Sequence, residues 1–321
     1  MKKLFLISLL FTLTTLVITQ SSCNKTADAN GENANKTSVE KKQDAFTTND
    51  QWNKYWYQSL AEISSYTLQQ GRYSHVHPGT VVNIFVTEDF SKSKHVKLDD
   101  PANAGADKLP ILKLNQEFKF NTGIYSYSSV ISVFQPVDLN NYPHAVKVTT
   151  SVQDWCGIAF MQLNDKGKKN QIHQLSYFES EGDRDFSFDK TVLEDELWTL
   201  IRIAPDRLPV GNMDIMPGSI YLRYSHKEIK PYPASLSLQD VNDTRVYIIQ
   251  IPELKKSLTI TFEKEFPYTI LGWEESYPGF DGTLLKTTAT LNKTIMSDYW
   301  NKHNLEDRVL RKDLGLQEDF Q

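Results

Sequence analysis

The chain has 321 residues, 40% of them hydrophobic and 12% aromatic, enough to bury a sizeable core in one large or two modest domains. Lys and Arg number 35 against 40 Asp and Glu, a formal charge of -5 with no basic block. That balance excludes nucleic acid as a partner, because neutralising phosphates needs clustered cations. Two cysteines exclude a disulfide scaffold and a thiolate-rich zinc site, and a single long apolar run excludes a polytopic membrane protein.

That run opens the chain. Met1-Lys2-Lys3, an apolar stretch from Leu4 to Ile18 and then Ser21-Ser22-Cys23 have the anatomy of a secretory signal. The stretch is too short for a comfortable spanning helix, which needs about 20 apolar residues. A cysteine directly after two small residues resembles the bacterial lipoprotein signal, in which the thiol is acylated and the chain is cut just before it. Residues 1–22 therefore read as the signal peptide, with cleavage between Ser22 and Cys23 and lipid (palmitate among the acyl chains) on Cys23. Gln20 departs from the usual pattern, which has Leu three residues before the Cys. Several acyl chains on one cysteine make a stable anchor, at roughly 0.8 kcal/mol per buried methylene. Residues 23–48 are low in complexity, with Val39 and Phe46 their only large apolar side chains. They read as a disordered tether with a span of roughly 25 to 30 Å.

Residues 49–321 read as one domain. Trp52, Tyr55 and Trp56 stand at helical spacing behind Asn49 or Asp50 as N-cap, predicting a helix over 52–60. From Ala61 onward the period is two: Val82, Ile84 and Val86; Ile220, Leu222 and Tyr224; Leu258, Ile260 and Phe262; Leu285, Ala289 and Leu291. Turn signals separate such runs at His77-Pro78-Gly79, Asn121-Thr122-Gly123, Asn164 to Gly167, Glu181-Gly182-Asp183 and Pro278 to Gly282. About ten to twelve strands are expected, with helices only at the ends (52–60 and 297–314) and residues 191–200 open to either state. The fold class is all-β and mainly antiparallel, a barrel or open half-barrel with short terminal helices.

Candidate sites are few, and each has a plain structural alternative. Cys156, in Asp154-Trp155-Cys156-Gly157, is either a thiolate nucleophile with His144 or His173 as base, or a small buried residue at a strand end, the second being favoured. His75 and His77 share a strand face but need further ligands to hold a metal. Glu179, Glu181, Asp183 and Asp185 form an acidic run that suits a polar hairpin better than a calcium loop. Aromatic residues Tyr57, Tyr66, Trp155, Trp198 and Trp273 are candidates to line a lipid cavity or to offer platforms for sugar rings; Trp155, Cys156, Tyr66 and Trp273 are taken as ligand-lining. Glu274 and Glu275, adjacent on a strand, face opposite ways and do not make a glycosidase pair. No catalytic residue, metal ligand or cofactor is assigned.

Trp56-Tyr57, Ala61 to Tyr66, Val86 to Phe90, Trp155-Cys156-Gly157, Tyr177 to Gly182, Leu271 to Glu275 and Leu285 to Thr290 resemble a family of Gram-negative envelope lipoproteins labelled "septum formation inhibitor Maf". Genuine Maf proteins are cytoplasmic nucleotide pyrophosphatases with a Ser-x-Ser-Pro-Arg-Arg signature; this chain contains no Ser-Pro and no Arg-Arg, and carries an export signal. The resemblance implies an envelope lipoprotein and carries over no catalytic residue. The expectation is a non-enzymatic protein, anchored by lipid at the outer membrane on its periplasmic or surface side, binding an apolar or amphipathic ligand (lipid or glycan) or an envelope protein. An envelope-polymer hydrolase and a structural spacer are the alternatives. A barrel filled by its own side chains would leave only the surface for binding.

Overall fold

The computed structural model describes residues 45–318; the signal segment, Cys23 and the tether up to residue 44 lie outside them. Helix α1 (Asp50–Trp56) opens the body, capped by Asn49, whose Oδ1 accepts from the Trp52 amide at 2.8 Å. The strands follow as β1 (Ala61–Arg72), β2 (His75–Ser91), β3 (Val96–Lys97), β4 (Lys108–Thr122), β5 (Tyr125–Pro136), β6 (Lys147–Gln153), β7 (Ile158–Asp165), β8 (Lys169–Ser176) and β9 (Arg184–Asp189). Next come β10 (Val192–Leu193), helix α2 (Glu194–Ile203), β11 (Gly211–Met216), helix α3 (Ser219–Ser225), β12 (Tyr232–Val241), β13 (Thr244–Ile251), β14 (Lys256–Glu263), β15 (Ile270–Pro278) and β16 (Leu284–Ser297).

All sixteen strands form one sheet, ordered β10-β11-β12-β13-β14-β15-β16-β1-β2-β4-β5-β6-β7-β8-β9, with β3 beside β2. Pairing is antiparallel except for the two residues of β10 against β11. The terminal strands of this order, β9 and β10, are separated in the chain only by Lys190 and Thr191, so the open sheet curls until its edges meet at one link. The fold is the mainly antiparallel one that the alternating pattern predicts, with β2, β14 and β16 carrying three of the runs read from sequence.

The stretch open to helix or strand resolves as a helix, residues 194–203, entirely buried, and three other places differ from expectation. Residues 219–225 form α3, although Ile220, Leu222 and Tyr224 alternate as a strand would. Burial on several faces erases the helical period: Tyr221, Leu222 and Tyr224 are all in the core. Pro78-Gly79 makes no turn; β2 runs through it. Pro78 stays in register with Gln69 of β1 but lies one residue past the last β4 partner, and a Cβ on Gly79 would stand 2.4 Å from the Lys119 carbonyl. At the C-terminus, 299–301 and 305–314 are 3-10 turns.

The sheet wraps around α2. Trp198 packs edge-on against Trp273 of β15 at 5.0 Å, while Arg202 stacks over Phe85 of β2 and Trp56 of α1 at 4.9 and 5.2 Å. Arg202 also grips Glu62 of β1 through both Nη atoms, Nη2 at 2.5 Å from Oε2, with both side chains fully buried. Tyr55 donates to the same carboxylate at 2.5 Å, and Arg202 Nε donates to the Pro267 carbonyl at 3.0 Å. Arg202→Met, which strands the Glu62 charge, should cost about 3–5 kcal/mol in urea unfolding, and adding Glu62→Gln should restore most of it.

Candidate functional site

Antiparallel strands place alternate turns at one end. The β1–β2, β4–β5, β6–β7, β8–β9 and β15–β16 turns share a tip pole, and the β5–β6 loop with Asn140 sits at the opposite, base pole. The described chain enters at the base: the Phe46 amide donates to Asn140 Oδ1 at 2.9 Å, and Arg207 covers the Phe46 ring.

The tips carry exposed apolar side chains: Tyr73, Ile124, Trp155 (67% exposed), Ile158, Tyr177, Phe280 (65%) and Leu284. Many are linked by ring contacts. Trp155 lies 6.4 Å from Tyr125, which lies 5.5 Å from Tyr127; Phe280 lies 5.7 Å from His226, His226 4.7 Å from Phe178, and Phe178 5.4 Å from Tyr177. Tyr177 lies against Gly157, where any Cβ would meet its Cγ at 2.6 Å. The Tyr73 hydroxyl joins those of Tyr125 and Tyr127 at 2.5 and 2.8 Å, and Ser74 donates to Asp281 at 2.8 Å, tying two tips together.

Within this ring a small cleft of about 20 Å³ is lined by Arg72, Tyr127, Asp154, Phe178, Arg223, Tyr224 and His226 among others. Arg223 pairs with Glu181, and His226 Nδ1 stands 2.7 Å from both. Burial first, then Arg72, push Arg223 down to about 10; burial, Arg223 and Arg72 likewise hold His226 below its ordinary value.

A second polar centre lies inside, at the first turn of α2. The Lys256 ammonium, fully buried, sits 2.7 Å from Glu194 and 3.0 Å from Glu275. Burial opposes its charge, but the two carboxylates outweigh it and hold Lys256 above its usual range. Glu275 faces inward and Glu274 outward to Lys286, the opposed arrangement that strand geometry predicts for adjacent residues. Asp195 accepts from the Ser219 amide at 3.1 Å, and burial raises its carboxyl to about 7. The cleft beside these groups measures about 50 Å³.

The sequence-predicted ligand-lining residues are divided between rim and core. Trp155 and Cys156 stand at the β6–β7 tip; Tyr66 and Trp273 pack on each other at 4.9 Å in the core. Cys156 is exposed, which corrects the expectation of a buried thiol: it occupies a turn outside the ladder, its amide donating to Asp154 Oδ1 at 2.6 Å. The two candidate bases are engaged elsewhere, His144 with Glu196 at 2.7 Å and His173 with Asp185 at 2.8 Å. His75 and His77 have ring centres 6.4 Å apart, and among the described residues no group of three or more acidic, His or Cys side chains is placed to hold a metal. The acidic run is dispersed onto Arg223, the Ser176 amide and His173. Arg72, Arg223 and the tyrosines of the tips went unread in the sequence; the signal available was an aromatic residue in or beside each tip turn.

Asp195 gives a pH signature. From about pH 4, where the unfolded carboxyl ionises, to about pH 7 the folded chain keeps a proton the unfolded chain has lost, so stability falls as pH rises, and the cost persists above pH 7. Asp195→Asn should match the parent at pH 4 and exceed it at pH 8 by up to about 4 kcal/mol in denaturant titrations.

Among the described residues no helix is long and apolar enough to cross a membrane. A scan against protein-family models finds no match. A search of curated proteins likewise finds none. Among solved structures, the chain is similar to a β-barrel-like protein of the domain of unknown function DUF1849 from Brucella abortus, at 9% identity and a TM-score of 0.37, over 74% of this chain and 98% of that one.

Proposed function

We propose that this protein is a non-enzymatic binding module of the cell envelope, anchored through lipid on Cys23 at the outer membrane, whose tip pole engages an amphipathic ligand or partner. One observation carries this reading: exposed aromatic side chains on neighbouring tip turns are linked to one another by ring contacts around a cleft, at the pole opposite the one where the chain enters. An exposed apolar set of that kind marks an interaction surface. The interior supports the same choice, since Leu197, Trp198, Leu200 and Ile201 of α2 fill it, and clefts of about 40, 50 and 20 Å³ admit only a few waters each. Binding therefore falls to the surface rather than to a lipid-sized chamber. Cys156 is not brought to an imidazole, Glu274 and Glu275 point apart, and the carboxylates that do converge, Glu194 and Glu275, are engaged by the buried Lys256. The outer-membrane position and the family resemblance rest on the sequence pattern alone.

Cys156 supplies the test, as the free thiol on the rim. A photo-crosslinker attached there in intact envelopes should give a discrete adduct, reduced several-fold by Trp155→Ser with Phe280→Ser. The same probe at the base, on Glu306→Cys in a Cys156→Ser background, should give none. Equal labelling from both poles, or a yield indifferent to the rim substitutions, would refute the reading.

A further inference from the structure

Arg72 stands in an unusual position. It is only 7% exposed, at the end of β1, and its guanidinium carbon lies 4.7 Å from the Tyr73 ring centre, 4.8 Å from Tyr224, 5.5 Å from Tyr127 and 5.9 Å from Phe280. Nη1 donates to the Tyr224 carbonyl at 2.6 Å, whereas Nε is buried and unpartnered. No carboxylate forms an ion pair with it among the described residues. The two acids that share its cleft or lie beside it are engaged: Glu181 by Arg223 and His226, Asp154 by the Cys156 and Gly157 amides. Arg202 is the comparison within the same molecule. It too is buried between aromatic rings, but Glu62 meets it with both oxygens. A buried guanidinium with ring faces and no counter-charge is costly unless an anion completes it. Here the open side of that environment is the cleft under the rim, with Arg223 on its other wall.

We infer that Arg72 is the anchor of an oxyanion site at the tip pole, which takes the phosphate of an anionic phospholipid headgroup while the apolar rim contacts the rest of the amphiphile. The inference rests on the reading of the tip pole as the binding surface. A planar fork of donors suits phosphate, and Trp155, Ile158, Tyr177 and Phe280 around the cleft suit an apolar body attached to it. The cleft is shallow, so one or two phosphate oxygens enter and the remainder of the ligand stays at the surface.

The test uses the full mature chain made lipid-free by Cys23→Ser, floated with phosphatidylcholine vesicles with and without phosphatidylglycerol. Binding is expected only with phosphatidylglycerol, about tenfold weaker in Arg72→Gln and in Trp155→Ser/Phe280→Ser, and intermediate in Arg72→Lys, which keeps the charge but loses the planar fork. A structural arginine would lower Tm when replaced; an uncompensated one should leave Tm of Arg72→Gln level or higher, so folding and binding are read separately. The rim double variant, altered only at exposed positions, keeps the test open if Arg72→Gln misfolds. Inorganic phosphate separates the sources: stabilisation by phosphate with no flotation overturns the lipid assignment, as does phosphatidylglycerol binding that is indifferent to Arg72. Absent flotation with a surviving Cys156 adduct would overturn this inference and leave the tip-pole reading intact, whereas loss of that adduct would remove both.

Discussion

Two buried ion pairs hold the central helix, and the rest of the molecule is arranged around them. Glu194, the first residue of α2, meets Lys256 on β14; Arg202, in its last turn, meets Glu62 on β1. Between them Glu196 takes the His144 imidazole and the Ala145 amide from the β5–β6 loop. Strands β14 and β1 lie three steps apart in the sheet, so one ten-residue helix fixes how sharply the intervening strands curl. Buried pairs of this kind add little net stability over well-packed apolar residues, but they penalise every arrangement in which the partners fail to meet. A sheet whose edges are joined by one two-residue link needs such a register device, because its own ladder does not close.

With the helix fixed inside, the interior has no space for a large ligand, and exposed apolar side chains gather in the turns and terminal segments. Turns at the tip carry Tyr73, Ile124, Trp155, Tyr177 and Phe280, all exposed. At the base Trp52 and Trp56 are buried and Tyr55 contacts Phe266 edge-on at 5.4 Å, while Tyr57 and Trp300 are exposed there as well. What sets the tip apart is that its rings are linked across neighbouring turns, Trp155 to Tyr125 and Phe280 through His226 to Phe178 and Tyr177. At the base Arg245 bridges Asp206 and Asp240 at 2.6 and 3.0 Å. Side chains in turns reach the surface because they escape the alternation that buries every second residue of a strand.

The same escape explains what was legible in the sequence. Strand runs such as 81–87 and 258–262 are half-buried, so their period of two survives intact in β2 and β14. Helix α2 is buried all round, even at Glu194, Glu196 and Arg202, and a segment with no polar face has no helical period to read. Pro78-Gly79 looked like a turn because composition alone does not show that a neighbouring backbone stands 2.4 Å from where a Cβ would be. Trp155 and Cys156 were legible as a feature of interest, while Tyr66 and Trp273, chosen on residue type, belong to the core. Arg72 and Arg223 come from β1 and α3, 151 residues apart in the chain, and no local pattern announces that the curl of the sheet makes them opposite walls of one cleft.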